Sequence, residues 1–210
     1  MVNVLLTDPG HDFPTQMLSH WITSAADYMQ TLGNIRVVHL QGNDVTHANF
    51  HSTVVSHNPR LLLLNGHGSE TTMYGHSDLP ILDSNDIAEG QFDDRIIHAL
   101  ACKVGAVLGH DLIANGVSTF IGYKEDFQVV HTSGDLNDAV AALYLDPAFS
   151  VPRSLAEGKS TQDAFIGAQK MYAENLKEAL RLNAGIGILA PLYSNMQHHV
   201  LLGSTTAMAV

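Results

Sequence analysis

Short apolar blocks alternate along this chain with stretches in which apolar residues return every third or fourth position, so the pattern predicts strands and helices in turn. Val2–Thr7 reads as a first strand, closed by Asp8-Pro9-Gly10. From Phe13 to Leu32 the apolar positions Phe13, Met17, Trp21, Ile22, Ala25, Met29 and Leu32 keep helical spacing, and Gly33 stands where a helix stops. Ile35–Leu40 reads as a second strand, and Val45–His57 is ambiguous, a helix ended by Asn58-Pro59 being one reading. Arg60–Asn65 is a third strand, followed by a long loop through Ser84. Arg95–Ala101 is a fourth, Val104–Asn115 a helix with Gly116 as its cap, and Val117–Gly122 a fifth strand. Leu136, Ala139, Val140 and Leu143 form a further helical stripe, and Ser160-Thr161-Gln162-Asp163 reads as a capping box opening a long helix through Leu182. The apolar runs Ile186–Leu192 and Val200–Leu202 are expected to return to the sheet edge.

Strand, helix, strand order predicts an α/β fold: a mostly parallel central sheet of about six strands with helices on both faces, in three layers. The pattern shows no break that would divide residues 1–210, so one domain is expected. In such sheets the site lies beyond the carboxyl ends of the strands, where Asp8, His67, Cys102 and Tyr123 fall.

Composition narrows the function. A net charge of −11 disfavours nucleic acid and anionic membrane surfaces as partners. A single cysteine excludes an internal disulfide framework and cysteine-rich zinc modules. Met1 leads straight into Val2-Asn3-Val4-Leu5-Leu6 without a basic leader, and no apolar run approaches a membrane span, so a soluble cytoplasmic protein is expected. Of the histidines, His47 and His51 share a helical face and His198 and His199 are adjacent, but neither pair has an acidic or thiol co-ligand set. No metal and no cofactor are expected.

The chemistry concentrates in two blocks. The third strand runs into Asn65-Gly66-His67-Gly68, and the run Ile96-Ile97-His98-Ala99-Leu100-Ala101 ends in Cys102. Imidazole at one strand end and thiol at the next are the base and nucleophile of a cysteine hydrolase. A free thiol is mostly protonated at neutral pH, and Cys102 stands just before the predicted 104–115 helix, whose amide end would favour thiolate. Asn65 is read as shaping the loop, and no third catalytic residue is evident.

An apolar block ending in His67-Gly68, paired with one ending in Ala101-Cys102, resembles the caspase-like cysteine peptidases, the group of caspases, metacaspases, legumain, gingipain, clostripain, separase and CHAT proteases. Phe120-Ile121-Gly122-Tyr123 and Leu155-Ala156-Glu157-Gly158-Lys159-Ser160 resemble the CHAT branch in particular. The chain departs from caspases in Leu100 and Lys103, where they carry Gln before Ala-Cys and Arg-Gly after it. The resemblance implies a caspase-like three-layer sandwich, a Cys-His dyad of Cys102 and His67, and an oxyanion hole made by the amides of Gly68 and Cys102. It also implies a pocket for the residue before the scissile bond, built from the first strand's end, the nucleophile strand and the segment after the fifth strand. At those positions Asp8 or Asp12 and the cluster Glu125-Asp126 are acidic, which predicts cleavage after Arg or Lys.

The expected protein is therefore a cysteine endopeptidase acting on protein or peptide substrates, with room for a regulatory partner or a homo-oligomer. Its rivals are a catalytically silent caspase-like binding or scaffold module and an amidotransferase-like amidase. The second would place Cys before His in a nucleophile elbow, which this chain lacks.

Overall fold

The computed structural model of the chain describes residues 1–132 and 138–210, so Leu136 of the expected stripe lies outside the described residues. Eight strands are present among them: β1 (Val2–Asp8), β2 (Ile35–Gln41), β3 (Leu61–Asn65), β4 (Thr72–Tyr74), β5 (Pro80–Asp83), β6 (Ile96–Leu100), β7 (Thr119–Tyr123) and β8 (His199–Gly203). The helices are α1 (Phe13–Thr31), α2 (His47–His57), α3 (Leu108–Ala114), α4 (Ala139–Ala156), α5 (Thr161–Arg181) and α6 (Ile186–His198).

Six strands form one sheet in the order β2-β1-β3-β6-β7-β8, parallel except for β8, which runs antiparallel to β7 at the edge. The central strands are apolar on both faces because both are covered. Val4, Leu6, Leu61, Leu63 and Ile96 pack in the same core as residues of α1, α4 and α5. Leu5, Leu62, Leu64 and Ile97 belong to the opposite core, with residues of α2, α3 and the β4–β5 hairpin. This is the expected α/β sandwich with helices on both faces.

The local signals act as expected in most places. Asp12 caps α1 and Ser160 caps α5, each side chain accepting the amide three residues on. Asn58 ends α2 in the left-handed conformation, before Pro59.

Three segments differ from expectation. The loop before Ser84 holds the antiparallel β4–β5 hairpin, whose strands of three and four residues are too short for periodicity to register. The helix after Cys102 begins only at Leu108, leaving 101–107 as turns. The run Ile186–Leu192 is not a strand but the first half of α6, where Leu192 is buried with Tyr144 and Tyr172. A seven-residue apolar run has no period that separates strand from buried helix.

From β1 the chain steps outward to β2 and then returns to the other side of β1 through β3. The winding therefore reverses between β1 and β3, and at such a reversal the loops leaving the two carboxyl ends diverge and open a crevice. The β1 loop carries Asp12 and the β3 loop carries His67.

Candidate active site

β3 ends at Asn65, whose side-chain amide donates to the Thr7 carbonyl at 3.0 Å while its backbone N–H donates to Thr7 Oγ1 at 2.9 Å. These bonds tie the ends of β3 and β1 together, as expected of a loop-shaping residue. His67 follows, and its Nε2 lies 2.6 Å from Asp12 Oδ2. Asp12 is fixed in turn because its other oxygen accepts the Thr15 amide at 3.0 Å in the cap of α1. Partial burial pushes the Asp12 carboxyl up, but the Thr15 hydroxyl and His67 outweigh it and hold the group at about 2. A carboxylate accepting from Nε2–H leaves Nδ1 of His67 as the basic atom. Asp12, read from sequence as a carboxylate of the substrate pocket, is placed against the histidine instead, a pairing that the sequence did not reveal. The signal was there in Asp12-Phe13-Pro14-Thr15, a helix cap directly beyond a strand end.

The loop after β6 is held from the other side. Lys103 adopts a positive φ of 60°, and its N–H donates to the Glu125 carbonyl at 3.1 Å. Gly105 N–H donates to the Tyr123 carbonyl at 2.8 Å, and Lys103 Nζ lies 3.6 Å from Asp126 Oδ1. Glu125, through its backbone carbonyl, and Asp126 thus brace the loop that carries Cys102 and sit at the exposed surface. Asp8 is also placed away from the pocket: it is buried, accepts from the Ser19 hydroxyl, and lies 3.7 Å from His39 Nε2. Burial raises the Asp8 carboxyl, and His39 and Ser19 more than offset this, so the group is held below its ordinary value.

Cys102 is partly buried and its Sγ points toward the Phe127 carbonyl at 3.8 Å. Burial pushes the thiol above its ordinary value and the Asp126 carboxylate adds to the push, against the Lys103 ammonium. The expected thiolate stabilisation by a helix end is not present, because α3 starts six residues later and packs elsewhere.

The two loops touch at Gly68. A Cβ there would lie 2.6 Å from the Cys102 carbonyl oxygen and 2.9 Å from the Ala101 Cβ, so only glycine lets them meet. Among the described residues the amides of Gly68 and Cys102 are donated to no protein acceptor, as an oxyanion hole requires.

His67 and Cys102 share the wall of one cavity of about 400 Å³. Phe13, Pro14, Met17 and Leu18 line it from α1, Leu100 from the end of β6 and Ala101 from just beyond it. Phe127, Val129 and Val130 form the wall beyond β7, and Pro191 of α6 closes it. Thr15, Gln128 and His131 are its remaining polar residues, and the lining among the described residues holds no Asp, Glu, Lys or Arg. None of Asp8, Asp12, Glu125 and Asp126 is part of this wall. Sequence reasoning missed the apolar lining because α1 shows one apolar stripe, with nothing to mark which of its residues face a cavity.

The fold is that of gingipain R. The crystal structure of the Arg specific cysteine proteinase gingipain R superposes with a TM-score of 0.56 at 12% identity, over 98% of this chain and 47% of that one. The complex of Porphyromonas gingivalis RgpB pro- and mature domains gives 0.57 at 13% identity, over 99% and 48%. The chain therefore spans about half the length of these structures. No protein-family model matches the sequence, and no curated protein matches it by sequence.

One further cluster borders the cavity. His11, Asp12 and His67 each offer a ligand atom within 4.8 Å of one another, a set that could hold a metal ion. Sequence spacing could not reveal it, since the two histidines sit on loops after different strands.

Proposed function

We propose that this chain, as one peptidase unit spanning 1–210, is a cysteine endopeptidase with His67 as base, Cys102 as nucleophile and Asp12 orienting His67. The observation that carries the reading is the convergence at one cavity of a carboxylate-anchored imidazole, a thiol and two unused amides. His67 Nδ1 takes the thiol proton, and the sulfur attacks the peptide carbonyl carbon. Gly68 and Cys102 amides receive the oxyanion. The C–N bond then breaks as His67 returns the proton to the departing amine, leaving a thioester. Water, giving its proton to His67, attacks the thioester carbon and releases the acid while Cys102 recovers its proton.

The fold likeness to a cysteine proteinase supports this reading, and the affinity to the CHAT branch rests on the 120–123 and 155–160 blocks alone. The Arg specificity named for gingipain R agrees with the cleavage after basic residues expected from sequence, but here no described carboxylate lines the cavity. A regulatory partner is proposed by analogy with the pro-domain complex of the neighbour. Among the described residues no helix is long and apolar enough to cross a membrane.

The test is peptide hydrolysis by wild type, Cys102→Ala and His67→Ala. Each substitution should abolish cleavage and leave circular dichroism unchanged, because the two residues act as one unit. Substantial cleavage by folded Cys102→Ala protein would overturn the assignment, and binding without any cleavage by wild type would favour a silent scaffold.

A further inference from the structure

Resting on the peptidase reading, we propose that the enzyme selects a large apolar side chain, Leu, Met or Phe, on the residue whose carbonyl is attacked. In the covalent intermediate that residue is bonded through its carbonyl to Cys102, so only the carbonyl carbon and Cα separate its side chain from Sγ, and the side chain must occupy space beside the sulfur. The space available there is the cavity whose wall includes Cys102, and it is lined chiefly by Phe13, Met17, Leu18, Leu100, Phe127 and Val130. Its volume of about 400 Å³ takes the largest apolar side chain with room for part of its neighbour.

Charge decides against the alternatives. A guanidinium or ammonium entering this cavity would leave water without a carboxylate partner among the described lining residues. Asp12 already spends one oxygen on the helix cap and the other on His67, and Asp126, whose charge reaches the Cys102 thiol, lies outside the lining with Lys103 Nζ 3.6 Å from its Oδ1. An Asp side chain would lose its hydration with no cation in the lining. Phe13 strengthens the argument: it is a large apolar residue 41% exposed at the cavity, and its ring lies 5.0 Å from that of His131. An exposed aromatic beside a reactive thiol is uncovered apolar surface that a substrate side chain can cover.

The experiment compares two sets of compounds on the wild-type chain. Fluorogenic peptides identical except for Leu, Met, Phe, Ala, Arg, Lys or Asp at the cleaved residue give kcat/KM. Peptidyl acyloxymethyl ketones carrying Leu or Arg at the same position give the rate of Cys102 labelling by mass spectrometry, without turnover. Leu, Met and Phe should exceed Arg, Lys and Asp at least about tenfold in both sets, and exceed Ala by a similar factor. Val130→Asp, placed in a half-buried loop position, should move the preference toward Arg, and Phe13→Ala should raise KM for apolar substrates more than it lowers kcat. Arg or Lys equal to or better than Leu in either set overturns the proposal. Selective labelling by the Leu compound with no peptide hydrolysed would keep the pocket assignment and defeat the peptidase reading, whereas absence of both overturns the two together.

Discussion

Asp12 Oδ2 lies 2.6 Å from His67 Nε2, and the same carboxylate caps α1, so one side chain sets both the start of a helix and the orientation of the His67 ring, the proposed base. The two duties separate in Asp12→Asn. Asparagine caps a helix about as well as aspartate, so Tm should stay within a few degrees. The amide cannot accept the Nε2 proton through its nitrogen and stabilises imidazolium poorly, so kcat should fall at least about a hundredfold. Asp12→Ala should show the same loss of kcat together with about 1 kcal/mol of lost stability. Unchanged kcat in Asp12→Asn, measured beside its thermal melt, would assign Asp12 to the cap alone.

Gly68→Ala should disable catalysis while the sheet stays folded. The added methyl would meet the Cys102 carbonyl oxygen at 2.6 Å and Val104 Cγ1 at 2.7 Å, so the nucleophile loop must shift. Overpacking of this kind costs about 1–3 kcal/mol, and loss of one oxyanion donor about a hundredfold or more in kcat. Urea unfolding and steady-state kinetics on the same variant check both halves.

The strands carrying these residues were legible in the sequence because a strand covered on both faces is a continuous apolar run, and the runs ending at Asn65 and Leu100 are of that kind. That His67 and Cys102 lie on one cavity wall follows from where those runs stop. The role of Asp12 was hidden because it depends on how the β1 and β3 loops meet, a relation between residues 55 positions apart that no local pattern encodes. Its carboxylate was therefore read by charge, as a partner for a basic substrate. The same limit covers Glu125 and Asp126: an acidic pair after a strand looks identical in sequence whether both carboxylates line a cleft or, as here, Asp126 lies near Lys103 and the Cys102 thiol while Glu125 holds the loop by its backbone carbonyl. The start of α3 was misplaced because Val104 is buried like a helix residue, yet belongs to a turn fixed by Gly105 and Tyr123.

Iodoacetamide should modify resting Cys102 with a midpoint above that of a simple thiol, the opposite of what a helix-end location would give. Burial disfavours the thiolate and Asp126 adds a like charge, so the fraction ionised at neutral pH is reduced. Asp126→Asn should lower the midpoint by removing that charge, while burial keeps it above the simple thiol. A midpoint below about 8.5 in the wild type, read from alkylation rate against pH, would contradict this account of the resting thiol.

EDTA should leave activity unchanged, since the proposed chemistry draws only on His67, Asp12 and Cys102. Added zinc should inhibit reversibly, because a cation held by His11, Asp12 and His67 occupies the imidazole that must move protons. His11→Ala should retain activity and lose zinc sensitivity. Inhibition that persists undiminished in His11→Ala would place the zinc elsewhere.

Acid should destabilise the fold through two histidines outside the site. His98 on β6 and His199 on β8 are buried, each has an Nε2 with no hydrogen-bond partner among the described residues, and burial depresses both to about 3. His199 is stacked between Tyr123 and Phe165 at 4.9 and 4.7 Å, so aromatic faces enclose its ring. The folded state therefore binds these protons more weakly than the unfolded chain, whose histidines titrate near 6.5. The stability they permit is complete above pH 6.5 and is lost as pH falls from there toward 3, at about 1.4 kcal/mol per pH unit for each residue. Replacing the rings by apolar groups of similar bulk, His98→Leu and His199→Phe, should remove that slope. Urea midpoints of wild type and the two variants at pH 7 and 4.5 decide the point: the wild type should lose more stability than either variant, and equal losses would mean that other groups govern the acid transition.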